Sequence, residues 1–163
     1  MTAFRLTAFL VFFDIFLIGK SSATNFNTLN KSDKVTLNKG KLILKKRKLK
    51  NYSWPEITIY GLINATPLES VAIYYALDYQ KEYIPNVIVS TPIKQISPTI
   101  VHTKYEFKIP WPLKNSHYTN GSKLKLLSKN SYLVNWWLIK NTSADETTGH
   151  AKFIEVNGKT LIK

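Results

Sequence analysis

The feature that most constrains the fold is the order of elements from residue 56 onwards. Glu56–Ile63 alternates between two faces and is rich in β-branched and aromatic residues, which predicts a strand. Two short helical segments follow, and beyond Pro85 every segment has the alternation of a strand and the boundaries of a turn. We expect these strands at residues 86–94, 99–109, 117–127, 132–140, 149–156 and 159–163. One strand, a helix pair and then six successive strands predict an α+β domain.

The helix pair carries clear start and stop signals. Thr66 stands at an N-cap position, Pro67 at the first helical position and Glu69 three residues beyond the cap, which together form a capping box. A second short helix is predicted over residues 78–84 and ends before Pro85. The expected buried face of the first helix consists of Leu68, Val71, Ala72 and Tyr75.

Two dipeptides predict hairpin turns in the strand-rich part. Lys129-Asn130 separates two predicted strands, and Asn157-Gly158 is a strong type I′ signal. Trp136 and Trp137 are neighbours within a predicted strand, so we expect their side chains to point to opposite faces of the sheet.

Residues 1–23 have the composition of a secretory signal peptide. Arg5 precedes an apolar run over residues 6–18, and small residues at 21–23 offer a cleavage site after Ala23. The run is shorter than the roughly 20 apolar residues that span a bilayer, which favours a signal peptide. The alternative is an uncleaved anchor. We expect an exported bacterial protein, periplasmic or extracellular, since a chain with no cysteine fits that environment.

A basic segment lies between the signal peptide and the domain predicted over residues 51–163. Residues 24–38 are polar, so we expect a flexible lead-in, and residues 39–50 (KGKLILKKRKLK) carry much of the +13 net charge. One interpretation is an exposed edge strand whose lysines stay in water. The other is contact with an anionic membrane surface through Lys45, Lys46, Arg47 and Lys48. No nucleic-acid partner is expected, because no nucleic-acid-binding motif accompanies the charge.

Motifs for catalysis and for metal binding are missing from the sequence. The chain has no cysteine, which excludes a thiolate metal site, a cysteine nucleophile and disulfides. It has three histidines without ligand spacing, no glycine-rich phosphate loop and no G-x-S-x-G nucleophile motif. We therefore predict no catalytic residue, no metal and no cofactor, although the sequence leaves enzymatic activity open.

Four Trp, nine Tyr and eight Phe residues need apolar surroundings. A sheet with helices on one side can enclose a cavity, and its inward aromatic side chains would then line that cavity. The alternative is an ordinary solid core. The residues predicted to line a cavity are Tyr75, Tyr105, Phe107, Trp111, Trp136 and Phe153.

Three segments carry a resemblance to a known superfamily. Residues 64–69 (NATPLE), 77–87 (LDYQKEYIPNV) and 108–114 (KIPWPLK) resemble the START-like, or helix-grip (SRPBCC), superfamily of START domains and polyketide cyclase-like proteins. The resemblance extends over residues 57–163 and implies a curved antiparallel sheet with a helix pair after the first strand. The superfamily ends in a long helix, whereas this sequence ends in a predicted strand, so we expect a C-terminally truncated domain.

The resemblance also implies a function. START-like domains enclose hydrophobic molecules, so we expect the domain to bind a lipid or another hydrophobic small molecule in its cavity without catalysis. Two alternatives are a cyclase- or aromatase-like enzyme and a peripheral membrane-binding module that acts through residues 39–50. Convergent polar groups in the cavity would favour the enzyme, and an apolar lining would favour ligand binding.

Overall fold

The computed structural model of the chain describes residues 29–50, 55–112, 114–140, 151–152 and 156–163. Within these residues the fold is α+β, as predicted, with three helices and eight strands in two sheets. The predicted signal peptide, residues 1–23, and the predicted cavity residue Phe153 lie outside the described residues.

The first described segment, which we call the N-terminal unit, comprises residues 29–50 and 55–60. Its elements are helix α1 (Lys31–Asn38) and the antiparallel strands β1 (Ile43–Arg47) and β2 (Glu56–Tyr60). The basic segment thus forms an edge strand, and the strand predicted at residues 56–63 is present but shorter.

Helix α1 corrects the expectation of a flexible lead-in for residues 30–38, whereas residues 24–28 of that segment lie outside the described residues. The side chain of Asn30 accepts a hydrogen bond from the backbone N–H of Asp33 at 2.7 Å, which caps the helix. Leu37 is buried together with Leu29 and Ile43. The N-cap, the burial of Leu37 and the ion pair between Asp33 and Lys45 therefore hold this polar segment against its sheet.

The remaining described residues, from residue 61 onwards, form what we call the main body, which begins with helices α2 (Pro67–Tyr74) and α3 (Gln80–Tyr83). The predicted capping box is confirmed: Thr66 Oγ1 accepts from the N–H of Glu69 at 3.2 Å, and Glu69 Oε2 accepts from the N–H of Thr66 at 2.8 Å. The predicted buried face is partly wrong: Val71 is buried as expected, but Leu68 and Ala72 are exposed, and Tyr74 is buried although it was not predicted.

The large sheet of the main body contains six strands. Its order is β3-β4-β5-β6-β8, with antiparallel neighbours, while β7 pairs in parallel with the beginning of β5. The strands are β3 (Val87–Ser97), β4 (Ile100–Phe107), β5 (Ser116–Ser128), β6 (Ser131–Ile139), β7 (Ala151–Lys152) and β8 (Asn157–Ile162). The predicted hairpin succession is therefore confirmed from β3 to β6, and β7 departs from it.

Two glycines explain how the adjacent tryptophans fit on the sheet. Trp136 pairs with Gly158 of β8, and Trp137 pairs with Gly121 of β5. A Cβ atom at either glycine would collide with the facing indole, so each ring lies directly over glycine backbone. The two rings lie on opposite faces, as predicted, whereas the turn predicted at Asn157-Gly158 is replaced by strand β8. The other predicted turn, between β5 and β6, is confirmed.

The core of the main body lies between the helix pair and one face of the large sheet. Tyr105 and Tyr118 are cross-strand partners, and their ring centroids are 5.5 Å apart. Phe107 stacks on Tyr118 with ring planes 3° apart. Burying each such ring contributes about 1.5–3 kcal/mol, so these stacked aromatics are a principal source of the stability of the fold.

Candidate functional site

Side-chain hydroxyls fasten the helix pair to the sheet. The hydroxyl of Tyr74 lies 2.7 Å from Thr160 Oγ1, so helix α2 is tied to strand β8. The hydroxyl of Tyr105 donates to Gln80 Oε1, and Gln80 Nε2 donates to the carbonyl of Tyr74 at 2.8 Å. Burial raises the pKa of Tyr105 well above its usual value, which keeps this hydroxyl a hydrogen-bond donor. These contacts fix the position of the turn between α2 and α3 over the sheet.

An open cleft of about 470 Å³ lies between that turn and strands β3 and β4. Its volume is in the range of about 300–1,000 Å³ that small-molecule sites occupy. Aliphatic side chains and two prolines form much of its walls, and Asp78, Lys94 and Gln95 add polar groups at exposed positions. The lining residues are Tyr75, Leu77, Asp78, Pro92, Ile93, Lys94, Gln95, Pro98 and Val101.

Tyr75 forms one wall of this cleft and is held there by two hydrogen bonds. Its hydroxyl donates to the carbonyl of Thr99 at 3.0 Å and to the carbonyl of Ser122 at 3.3 Å. Burial raises the pKa of Tyr75, so the hydroxyl stays protonated and continues to donate. The ring is thereby fixed as a rigid aromatic surface beside the cleft.

A second, more polar hollow of about 720 Å³ adjoins the first, with which it shares Asp78 and Pro92. Its lining includes the charged side chains of Lys81 and Glu82. Ser90, which also lines it, donates its hydroxyl to the carbonyl of Leu77 and ties the α2–α3 turn to β3. The first cleft is therefore the better environment for an apolar molecule.

The structure separates the five predicted cavity residues that it describes, all but Phe153. Tyr75 lines the cleft, but Tyr105, Phe107 and Trp136 lie in the packed core, where Tyr105 is fully buried. Their rings pack against neighbouring strands and helices, which matches the solid core that the sequence left as an alternative. Trp111 lies at the surface, 91% exposed, and thus outside any cavity.

Neutral polar side chains are also buried on the helix-covered face of the sheet. Thr103, Asn120 and Ser122 are almost fully buried, and Asn120 Nδ2 donates to Ser122 Oγ at 3.2 Å. They lie in the packed interior and are not part of the lining of either cleft. These three residues therefore contribute nothing to the first cleft, whose polar groups come from Tyr75, Asp78, Lys94 and Gln95.

The four predicted membrane-contact residues divide between the two faces of strand β1. Lys45 Nζ lies 2.7 Å from Asp33 Oδ2 and 5.9 Å from the ring centroid of Tyr60, and Arg47 forms an ion pair with Glu56. Lys46 lies between these two residues in the sequence and is therefore exposed on the other face of β1. Lys48 is also exposed and follows the end of the strand.

Sequence reasoning missed the contribution of strand β3 to the cleft. Pro92 lies within this strand, next to a shift in its pairing register with β4. A proline inside a predicted strand indicates an edge strand, and β3 is indeed the edge of the large sheet. That proline was the available indication that this part of the sheet borders an open surface.

The described residues contain no group of three or more His, Asp or Glu side chains that could hold a metal ion. None of their helices is long and apolar enough to cross a membrane.

Comparison with known proteins identifies the fold. No protein-family model matches the sequence, and no curated protein matches it. Among solved structures, the chain is similar to the crystal structure of a STAR-related lipid transfer protein from Xanthomonas axonopodis. The TM-score is 0.66 at 13% sequence identity, over 74% of this chain and 67% of that protein. The fold is therefore the START-like helix-grip fold, which confirms the fold expected from the resemblance.

Proposed function

We propose that this protein binds a lipid or another hydrophobic small molecule in the cleft beside Tyr75 and releases it unchanged. The observation that carries the proposal is the cleft of about 470 Å³, with its fixed aromatic wall and a lining that is part aliphatic and part polar. The shared fold with a protein described as a lipid transfer protein supports it. The composition of residues 1–23 supports action outside the cytoplasm, in the periplasm or the medium.

The lining is suited to an amphipathic ligand. Leu77, Ile93 and Val101 offer apolar contacts, and burial of such surface is the main source of affinity for an apolar molecule. Asp78 and Lys94 are exposed and can contact a polar group that stays near water. We therefore expect the apolar body of the ligand to lie against Tyr75 and its polar end to remain accessible to solvent.

The cleft also favours binding over chemistry. Its titratable side chains among the described residues are Tyr75, Asp78 and Lys94. The hydroxyl of Tyr75 directs its one proton towards two carbonyl oxygens, and burial raises its pKa, so it is poorly suited to act as a general acid or base. A cyclase-like enzyme has no specific support from this arrangement.

A matched pair of substitutions in strand β3 tests the site. Ile93 lines the cleft and is 48% exposed, whereas Ile88 is 43% exposed on the same strand and is not part of the lining. We expect Ile93→Asp to weaken binding of a fluorescent fatty-acid probe about tenfold, because a carboxylate in the wall must be desolvated. Ile88→Asp should bind the probe like the unmodified chain.

Two results would contradict the proposal. One is the absence of saturable probe binding by the unmodified chain, and the other is an equal loss in the two variants. Mass spectrometry of the recovered probe tests the second part of the proposal, since a changed mass would indicate an enzyme.

A further inference from the structure

The two-stranded sheet of the N-terminal unit has two chemically different faces. Its inner face, towards α1, holds the buried Ile43 together with Lys45 and Arg47. The side chains that alternate with these form the other side of the sheet, which we call the outer face. The outer face consists of Leu44 and Lys46 on β1 and of Ile57 and Ile59 on β2, with the exposed Leu42 and Lys48 at the two ends of β1.

The register places the outer-face residues side by side. Leu44 pairs with Ile59, and Lys46 pairs with Ile57, so basic and apolar side chains lie next to each other. Leu42 lies over Gly61, where its Cδ2 atom would be 2.8 Å from an added Cβ. Apolar and cationic groups therefore form one continuous surface.

The two faces differ in how their charge is balanced. On the inner face, Lys45 is paired with Asp33 and Arg47 with Glu56. These are the acidic residues of the described N-terminal unit, and both are committed to the inner face. Neither of these acidic residues is therefore available to Lys46 or to the exposed Lys48, on a chain whose net charge is +13.

Leucine side chains at the outer face are exposed to solvent. Leu42 and Leu44 are 46% and 52% exposed. Apolar surface surrounded by lysines suits the boundary of an anionic bilayer, where aliphatic groups enter the interfacial region and lysines reach the phosphates. A nucleic acid would use the charge but leave the leucines in water.

We propose that the outer face docks on an anionic lipid surface, with Leu42 and Leu44 inserted and Lys46 and Lys48 over the headgroups. This goes beyond ligand binding in the cleft, because it assigns a membrane contact to a different part of the chain. Of the four basic residues that the sequence predicts to contact a membrane, the proposal retains Lys46 and Lys48 and leaves out Lys45 and Arg47.

Vesicle co-sedimentation of the full chain tests this assignment. The probes are vesicles of phosphatidylcholine alone and of phosphatidylcholine mixed with phosphatidylglycerol. Each lysine near such a surface contributes roughly 1 kcal/mol, so the double substitution Lys46→Ser, Lys48→Ser should weaken binding to the mixed vesicles at least tenfold. Leu44→Ser should weaken it most clearly at physiological salt, where screening shortens electrostatic attraction to about 8 Å.

Two matched controls remove the same net charge elsewhere. Lys45→Ser with Arg47→Ser changes the inner face of the same strand, and Lys123→Ser with Lys125→Ser changes the main body. Both should reduce binding much less than the outer-face pair. Circular dichroism and probe binding in the cleft test whether each variant is folded. If the inner-face variant is unfolded, the main-body pair still serves as the control for the loss of charge.

Three outcomes would overturn the proposal. Equal losses in the outer-face and main-body pairs would mean that only total charge matters. Equal binding to the two kinds of vesicle would exclude anionic lipid as the partner. A dimer in solution that Leu44→Ser dissociates would identify the outer face as a contact between two copies of this chain.

Discussion

The N-terminal unit and the main body use opposite means to hold a sheet in place. The main body buries stacked rings such as Tyr105 and Phe107, which are 0% and 1% exposed, beneath a pair of helices. The N-terminal unit buries Leu29, Leu37 and Ile43 under one short helix and adds two ion pairs with partly exposed basic side chains. Ion pairs at a surface contribute about 0–1 kcal/mol each, so the stability of the two regions must differ greatly.

The same difference separates their proposed roles. A deep core lets the main body hold Tyr75 and the α2–α3 turn in fixed positions around the cleft. A sheet of two strands is stable only when one of its faces is packed against another element. In the N-terminal unit, α1 packs against one face only. Its other face is left with Leu44 and Lys46 in contact with solvent, which is what a docking surface requires.

The sharpest test of this comparison truncates one buried side chain in each region. Phe107→Ala should lower the free energy of unfolding by about 3–5 kcal/mol, because it removes a fully buried ring from the stacked core. Leu37→Ala removes a residue as deeply buried from the N-terminal unit. We expect it to release α1, seen as a loss of helical circular dichroism, while the main unfolding transition in urea stays in place.

The result that would contradict this prediction is a common shift. If Leu37→Ala moved the urea midpoint of the main transition as far as Phe107→Ala does, the two regions would unfold as one cooperative unit. The volume-conserving change Leu37→Met serves as the control, since such replacements usually cost less than about 1.5 kcal/mol.

The parts of the fold that were predictable from the sequence are those encoded locally. The capping box of Thr66, Pro67 and Glu69 specifies where α2 begins, and the structure contains it. The alternation around Tyr105 and Phe107 identifies β4 and its buried face, because the period of two is imposed by the strand itself. The pairing of β7 with β5 and the strand position of Gly158 depend on distant parts of the chain, and local patterns do not report them.

The candidate sites were harder to predict, for the same reason. The sequence identifies aromatic residues, but only packing decides whether Tyr105 fills the core or Tyr75 lines a cleft. It also identifies a basic strand, yet the difference between Lys45 and Lys46 lies in the positions of acidic partners. Strict alternation along β1 places Lys45 and Lys46 on opposite faces, but the acidic partners on α1 and β2 come from other segments, and the sequence pattern does not reveal them.

Alkaline pH should lower the free energy of unfolding of the main body, because its buried tyrosines lose their protons. Burial raises the pKa of Tyr83 to about 12 and also raises that of Tyr105 and Tyr118, whereas a tyrosine in an unfolded chain titrates near 10. Above about pH 10 the unfolded chain loses these protons first, so stability that is complete below pH 10 declines as the pH rises towards 12.

The measurement is the melting temperature from pH 8 to pH 11.5, followed together with tyrosinate absorbance. Tyr83→Phe should make the decline shallower, because one of the raised groups is gone, although it also loses the bond from the Tyr83 hydroxyl to the carbonyl of Ile73. A melting temperature that stays constant through this range would show that the rings are not protected from titration.

The smallest expected effect lies at the start of α2. Thr66→Ala removes the hydroxyl that accepts from the N–H of Glu69, but this end of the helix is exposed and water can replace the bond. The cost should be about 1 kcal/mol.

Hydrogen bonds from the Thr66 hydroxyl and backbone hold the pKa of Glu69 below its usual value, so their contribution is present near neutral pH and is lost as the pH falls through that lowered pKa. The variant should therefore be less stable at neutral pH, lose less stability on acidification, and show a higher Glu69 pKa by NMR titration. Thr66→Ser should retain both properties, and an unchanged Glu69 pKa in the alanine variant would contradict the assigned cap.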